Sequence, residues 1–138
     1  MLTRKVCKSQ EDIEELFKRM ILNILAFNFD DHAKNFAYLM DREGKWRLSP
    51  AYDMTYSKGM LKSHTTTIAG KDLNITRKDV LKIAKSQSIK PAVAARIIDK
   101  CIKVAKTFKQ KAMELELDED ILEECKRDID RQIELLMD

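Results

Sequence analysis

Nine consecutive residues, Asn28-Phe29-Asp30-Asp31-His32-Ala33-Lys34-Asn35-Phe36, bring carboxylate, imidazole, ammonium and carboxamide groups into one short stretch, and Asp53 follows 18 positions after Asn35. Phosphate chemistry is what such a set can do. Phosphoryl transfer needs a carboxylate to orient the attacking hydroxyl and take its proton. It also needs oxygen ligands for the magnesium ions that neutralise the phosphates. In that arrangement Asp30 is the proton acceptor and Asn35 and Asp53 are the metal ligands. A second arrangement is a metal-dependent phosphohydrolase with Asp30, Asp31, His32 and Asp53 as ligands, although such sites usually recruit more than one histidine and only His64 remains. A third reading gives the stretch no chemistry and makes the chain a module that binds a repressor partner or nucleic acid.

Each residue also has a structural reading. Asp30 and Asp31 are common turn formers, because an Asx side chain bonds the backbone two residues on. Asn35 can close a loop onto a strand, Lys34 can be solvated, and Trp46 and Tyr52 read as packing residues. His64 reads as a strand-end residue with no assigned role. An Asp-x4-Asn spacing alone arises often by chance. It gains specificity here from the elements around it.

Those elements are a buried helix before the stretch and a hairpin after it. Ser9, with Asp12 three residues on, predicts a helix start resembling a capping box. Ile13, Leu16, Phe17, Met20, Ile24 and Phe27 then recur at helical spacing, and Ile21, Leu22 and Leu25 make the end apolar almost all round. Phe36 to Met40 and Trp46 to Leu48 flank Asp41-Arg42-Glu43-Gly44-Lys45, which predicts a β-hairpin turning at Gly44 and ended by Pro50. The hairpin returns the chain to its starting point, so that Asp53 can face the Asp30 loop. Lys58 to Ser63 reads as a loop and His64 to Ile68 as a short strand. Thr76 caps a helix through Lys85 with Val80, Leu81 and Ala84 inward. Pro91 opens a long helix with a stripe of Ile97, Cys101, Val104 and Phe108. Asp118 caps the last helix, with Ile121, Leu122, Cys125, Ile129, Ile133 and Leu136 on its apolar side. The fold class is therefore mainly α with a small β-hairpin element, in one domain over residues 1–138.

Composition narrows the partners. Charged residues make up 36% of 138 and hydrophobic residues 44%, a globular mixture. A net charge of +3 is too small to point to nucleic acid. The charge is uneven: residues 58–111 hold 14 basic and 3 acidic side chains, while residues 118–138 hold 9 acidic and 3 basic. That pattern suits helix faces that attract one another, or a basic surface for an acidic or phosphorylated partner. The three cysteines, Cys7, Cys101 and Cys125, form no C-x-x-C pair, which argues against a disulfide framework or zinc site and for a reducing, cytoplasmic compartment. The N-terminus has no signal-peptide pattern, and the longest apolar run, Met20 to Phe27, is interrupted by Asn23 and too short to span a bilayer.

The spacing from Asp30 to Asn35 is that of the protein-kinase catalytic loop, H-R-D-x-x-x-x-N, and in those enzymes a second metal-binding Asp comes from beyond a following hairpin. More closely, N-F-D-D-H-A-K-N-F-A-Y-L followed by W-R-L-S-P-A-Y-D-M resembles the catalytic segment of HipA-like serine/threonine kinases, the toxin components of bacterial toxin–antitoxin pairs and their relatives. The similarity is strongest from Leu16 to Ser57, and it implies the C-terminal lobe of a protein-kinase-like fold, with ATP held between two lobes. It matches Asp30 to the family's proton acceptor and Asn35 and Asp53 to its magnesium ligands. By the same resemblance His32, Ala33, Lys34 and Asn35, with Tyr52 and Asp53, line the nucleotide. It further implies Mg-ATP, a protein substrate with a Ser or Thr hydroxyl, and an antitoxin or repressor partner. Phe27 departs from the family's usual Gly just before the Asn that opens the stretch, Asn28. The only glycines, Gly44, Gly59 and Gly70, are isolated and form no phosphate-cradling loop. An N-terminal lobe, in the same polypeptide or a separate chain, is therefore expected to supply that function, and this chain alone is expected to transfer phosphate negligibly.

Overall fold

Ser9 begins the long helix that leads into the Asp30 loop. The computed structural model describes residues 2–31, 33–57, 64, 67–114 and 119–138, with the backbone alone at 108, 109 and 113. In order, its elements are α1 (Leu2–Val6), α2 (Gln10–Leu25), a single 3-10 turn (Ala33–Asn35), β1 (Tyr38–Met40), β2 (Trp46–Leu48), α3 (Arg77–Ser86), α4 (Pro91–Glu114) and α5 (Glu119–Met137). The molecule is mainly helical with one antiparallel hairpin, as the residue pattern predicts.

The Ser9 hydroxyl accepts the Asp12 N–H at 3.3 Å, satisfying one of the four unpaired donors of the first turn. Asp12 does not complete a capping box; its carboxylate instead accepts the Leu48 N–H at 3.3 Å. The helix thereby touches the second strand from its first turn. Ile13, Phe17, Ile21, Ile24 and Leu25 are buried and join Val80 and Ala84 of α3, Ile98 and Ile102 of α4, and Ile129, Ile133 and Leu136 of α5 in one apolar cluster. Each such side chain contributes about 1.5–3 kcal/mol by leaving water.

The hairpin pairs Tyr38 with Leu48, Leu39 with Arg47 and Met40 with Trp46. The Asp41 carboxylate accepts the Glu43 and Lys45 N–H groups, each at 2.9 Å, and Gly44 takes φ +80°, a conformation that glycine adopts without steric cost. Trp46 and Tyr52 are each 43% exposed, which corrects their reading as packing residues. Thr76 caps α3, as the sequence predicts, and also forms a full capping box with Asp79.

Four expectations change. Helix α1 lies where the sequence shows only a polar, basic terminus; Thr3 is buried there because its hydroxyl pairs with that of Tyr38 at 2.8 Å. In α4 the buried residues are Ala94, Ile98, Cys101, Ile102, Ala105 and Ala112, whereas Val104 is 52% exposed. Cys101 of the predicted stripe is thus buried and Ile97 packs partly buried against the core, but the alanines carry little hydrophobic signal and the stripe omits them. In α5, Ile121 is exposed and Cys125 only partly buried, while Ile129, Gln132, Ile133 and Leu136 are buried. Ile68 pairs only with Lys71 across a tight turn and extends into no ladder among the described residues. The side chain of Phe108, the loop over 58–63, Thr65, Thr66 and the Asp118 cap lie outside the described residues. No helix is long and apolar enough to cross a membrane among the described residues.

Candidate functional site

Two buried polar side chains of α2, Arg19 and Asn23, interrupt its apolar surface, and both point the chain toward one cleft. Arg19 is held by Glu15 at 3.0 Å and donates to the Ser49 carbonyl at 2.7 Å. Together with the Asp12–Leu48 bond this clamps the end of β2 to α2. The following Pro50 cannot extend the ladder, so the chain leaves the hairpin at a fixed point and turns back toward the loop that follows α2.

Asn28 receives it. This side chain is buried, and its amide donates to Asn23 Oδ1 at 3.2 Å and to the Asp53 carbonyl at 3.0 Å. Backbone bonds complete the seam: Phe29 N–H donates to Ser57 at 2.8 Å, and Ser57 N–H donates to Phe27 at 3.1 Å. Asp53 adopts φ +55°, a left-handed conformation that costs a residue with a Cβ about 1 kcal/mol or more and persists where surrounding bonds impose it. The Asn28 bond to its carbonyl is one such restraint. The predicted return of Asp53 to the loop is thus observed in the backbone.

The site residues divide as follows. Asn35 and Asp53 line one small cleft, shared with Arg19, Asn23, Asn28, Phe36 and Tyr52. Asn35 donates its amide to the Asp30 carbonyl at 2.6 Å, closing the loop; its side-chain carbonyl is the oxygen available to a cation. The Asp53 side chain is exposed at the mouth of the cleft. Tyr52 donates its hydroxyl to the Lys34 carbonyl at 2.9 Å, tying the return segment to the 3-10 turn. Lys34 lies 3.7 Å from the Asp30 carboxylate, both side chains well exposed, so the pair is weak and easily exchanged for another anion. Ala33 opens the other way, onto an apolar cavity of about 320 Å³ lined also by Leu16, Phe17 and Met20. Asp30 is half-exposed beside the cleft and does not line it. His32 lies outside the described residues.

Asp31 points the opposite way from Asp30, into the interior, with its carboxylate 3.0 Å from His64 Nδ1. A hydrolase ligand set of Asp30, Asp31, His32 and Asp53 would require Asp31 to leave that buried partner. Among the described residues no group of three or more His, Cys, Asp or Glu side chains is placed to hold a metal.

Sequence reasoning missed Asn28, Asn23, Arg19 and His64. Polar residues breaking the apolar run of α2 were the available signal for Arg19 and Asn23. Nothing local marks His64, whose partner lies 33 positions away.

Phe27 has a structural account. It sits at φ +48°, where glycine is the least strained residue, which explains why glycine suits that position in the resembling kinases. The Phe27 ring meets the Phe29 ring at 5.6 Å, a contact worth about 0.5–1.5 kcal/mol that offsets strain of the same order.

Compared with known proteins, residues 1–110 match the model of the HipA-like C-terminal domain. The matched span runs from α1 through most of α4 and contains every residue discussed at the site. No curated protein matches the chain. The match covers most of the 138 residues, and the chain therefore belongs to the HipA-like C-terminal domains, a part of the HipA kinase family.

Proposed function

We propose that this chain is the C-terminal catalytic lobe of a HipA-like serine/threonine kinase of the toxin type, which transfers phosphate from Mg-ATP to a protein hydroxyl once an N-terminal lobe is added. The observation that carries this reading is the junction at Asn35: one side of its carboxamide fixes the Asp30 backbone, and the residue shares a cleft with Asp53.

Two oxygen ligands suit magnesium better than a metal with a full protein cage, because magnesium keeps waters and takes substrate phosphates as further ligands. Asn28 Oδ1, buried on the same cleft without a hydrogen-bond partner among the described residues, leaves room for one more polar contact there. Asn35 and Asp53 would hold the ion, and bound magnesium would neutralise charge on the transferring phosphate. Asp30 orients the hydroxyl and takes its proton. Lys34, only loosely paired, can shift from Asp30 to a phosphate. Tyr52 fixes the backbone of Lys34 and borders the nucleotide. An antitoxin or repressor protein is the expected regulatory partner, and because the isolated glycines of residues 1–138 form no phosphate-cradling loop, phosphate positioning draws on an N-terminal lobe, without which turnover is negligible.

Calorimetric titration of ATP, with and without magnesium, into wild type and Asp53→Ala tests the proposal. The expected result is magnesium-dependent binding that disappears in Asp53→Ala, with transfer appearing when the N-terminal lobe is supplied and falling about 10²–10⁴-fold in Asp30→Ala. Metal binding indifferent to ATP, or full transfer by Asp30→Ala, overturns it.

A further inference from the structure

Adjacent carboxylates at 30 and 31 pose a problem of choice: chemically equivalent groups, one of which must face the reacting hydroxyl. The burial pattern answers it. Phe29 is buried, Asp30 half-exposed and Asp31 buried, the in–out–in alternation of extended chain. The two inward residues meet the same imidazole. Asp31 Oδ2 lies 3.0 Å from His64 Nδ1, with the two side chains 7% and 3% exposed. The Phe29 ring packs edge-on against His64, centroids 4.8 Å apart and planes at 73°. His64 is itself held by its backbone N–H, which donates to the Asp72 carbonyl at 3.1 Å.

A slip that brought Asp31 outward would carry Asp30 inward, leave the His64 ring without its acceptor and bury a carboxylate away from it. An uncompensated polar group in the interior costs on the order of 1–3 kcal/mol, and more if charged. The aromatic contact opposes the same slip from the other side of Asp30. We infer that His64 and Asp31 are positioning residues: the pair selects Asp30, and not its neighbour, as the carboxylate presented to the hydroxyl. This rests on Asp30 being the proton acceptor proposed above. An ionised carboxylate can only accept, so in this contact His64 is the donor, through Nδ1.

The test compares His64→Leu, which removes the donor, with His64→Asn, whose amide places an N–H near the Nδ1 position, and with Asp31→Asn, which retains an acceptor. Two readouts are taken on each folded variant: hydrogen exchange of the 29–35 amides in the full chain, and kcat and KM for Mg-ATP in the two-lobe protein. For His64→Leu the expected result is faster exchange confined to the loop and a kcat about 100-fold lower, with KM for Mg-ATP changed far less. His64→Asn and Asp31→Asn should restore most of both. A general destabilisation would not split kcat from KM, nor be rescued by an amide. Unchanged loop exchange in folded His64→Leu overturns the inference, as does a change in KM that matches the change in kcat, or failure of folded His64→Asn to restore either readout. If His64→Leu does not fold, the two amide variants decide: slow loop exchange and near-wild-type kcat support the inference, and loss of both overturns it. Full activity in Asp30→Ala would instead strike the kinase assignment, while loop exchange would still report whether His64 holds the loop.

Discussion

Helix α2 is used in two ways along one length. Ile13, Phe17, Ile21 and Ile24 enter the apolar cluster shared with α3, α4 and α5, whereas Asp12, Arg19 and Asn23 reach the hairpin and the loops through hydrogen bonds. Apolar burial is non-directional: it stabilises in proportion to area and tolerates exchange of like volumes. The polar set adds less net stability but fixes where particular carbonyls lie, since any bond lost leaves a buried partner unsatisfied. The helix therefore supplies stability through one group of residues and geometry through the other.

Ile21→Ala is the largest expected perturbation and acts on the first group. The residue is 0% exposed, and its truncation should cost about 2–5 kcal/mol. Urea unfolding measures this; the folded fraction should bind Mg-ATP as wild type does, and selective loss of binding would erase the distinction between the two groups. Asn28→Ala acts on the second. It strands Asn23 Oδ1 and the Asp53 carbonyl, at about 1–3 kcal/mol, and should weaken Mg-ATP binding by the folded protein more than Ile21→Ala does. Calorimetry on the two variants side by side reads the contrast.

The smallest effect lies remote from the site and calibrates it. Asp79 is held low, at about 2 against 3.8, first by the Lys71 ammonium at 2.7 Å and then by the Thr76 backbone and hydroxyl. A carboxyl whose folded value is depressed contributes stability above its unfolded value, and that contribution is lost as pH falls from 3.8 toward about 2. Asp79→Asn should therefore be less stable than wild type at neutral pH, with a difference of about 1 kcal/mol as for other helix caps. The gap should close on acidification through that window. A gap that persisted to the acid end would mean that packing, and not charge, was lost.

Much of this architecture can be read from local pattern. Ser9, Thr76 and Pro91 mark helix starts, and Gly44 marks the turn, because caps and turns are decided within a few residues. The return of Asp53 toward the loop that carries Asn35 was legible for the same reason: a short hairpin has little choice but to return. What stayed hidden depends on distant partners. Thr3 is buried through Tyr38, His64 through Asp31, and the inward side of α4 through alanines whose role exists only once α2 lies against them.

Phe27 and Asp53, at φ +48° and +55°, also bear on the order of assembly. Free chains seldom visit the left-handed region at residues carrying a Cβ, so neither bend can be an early, locally formed feature. Both require α2 to be in place and the hairpin closed onto it. The loop that follows α2 is accordingly a late structure in folding. By the same reasoning it belongs to the part of the molecule that opens at lowest free energy, ahead of the helices that support it.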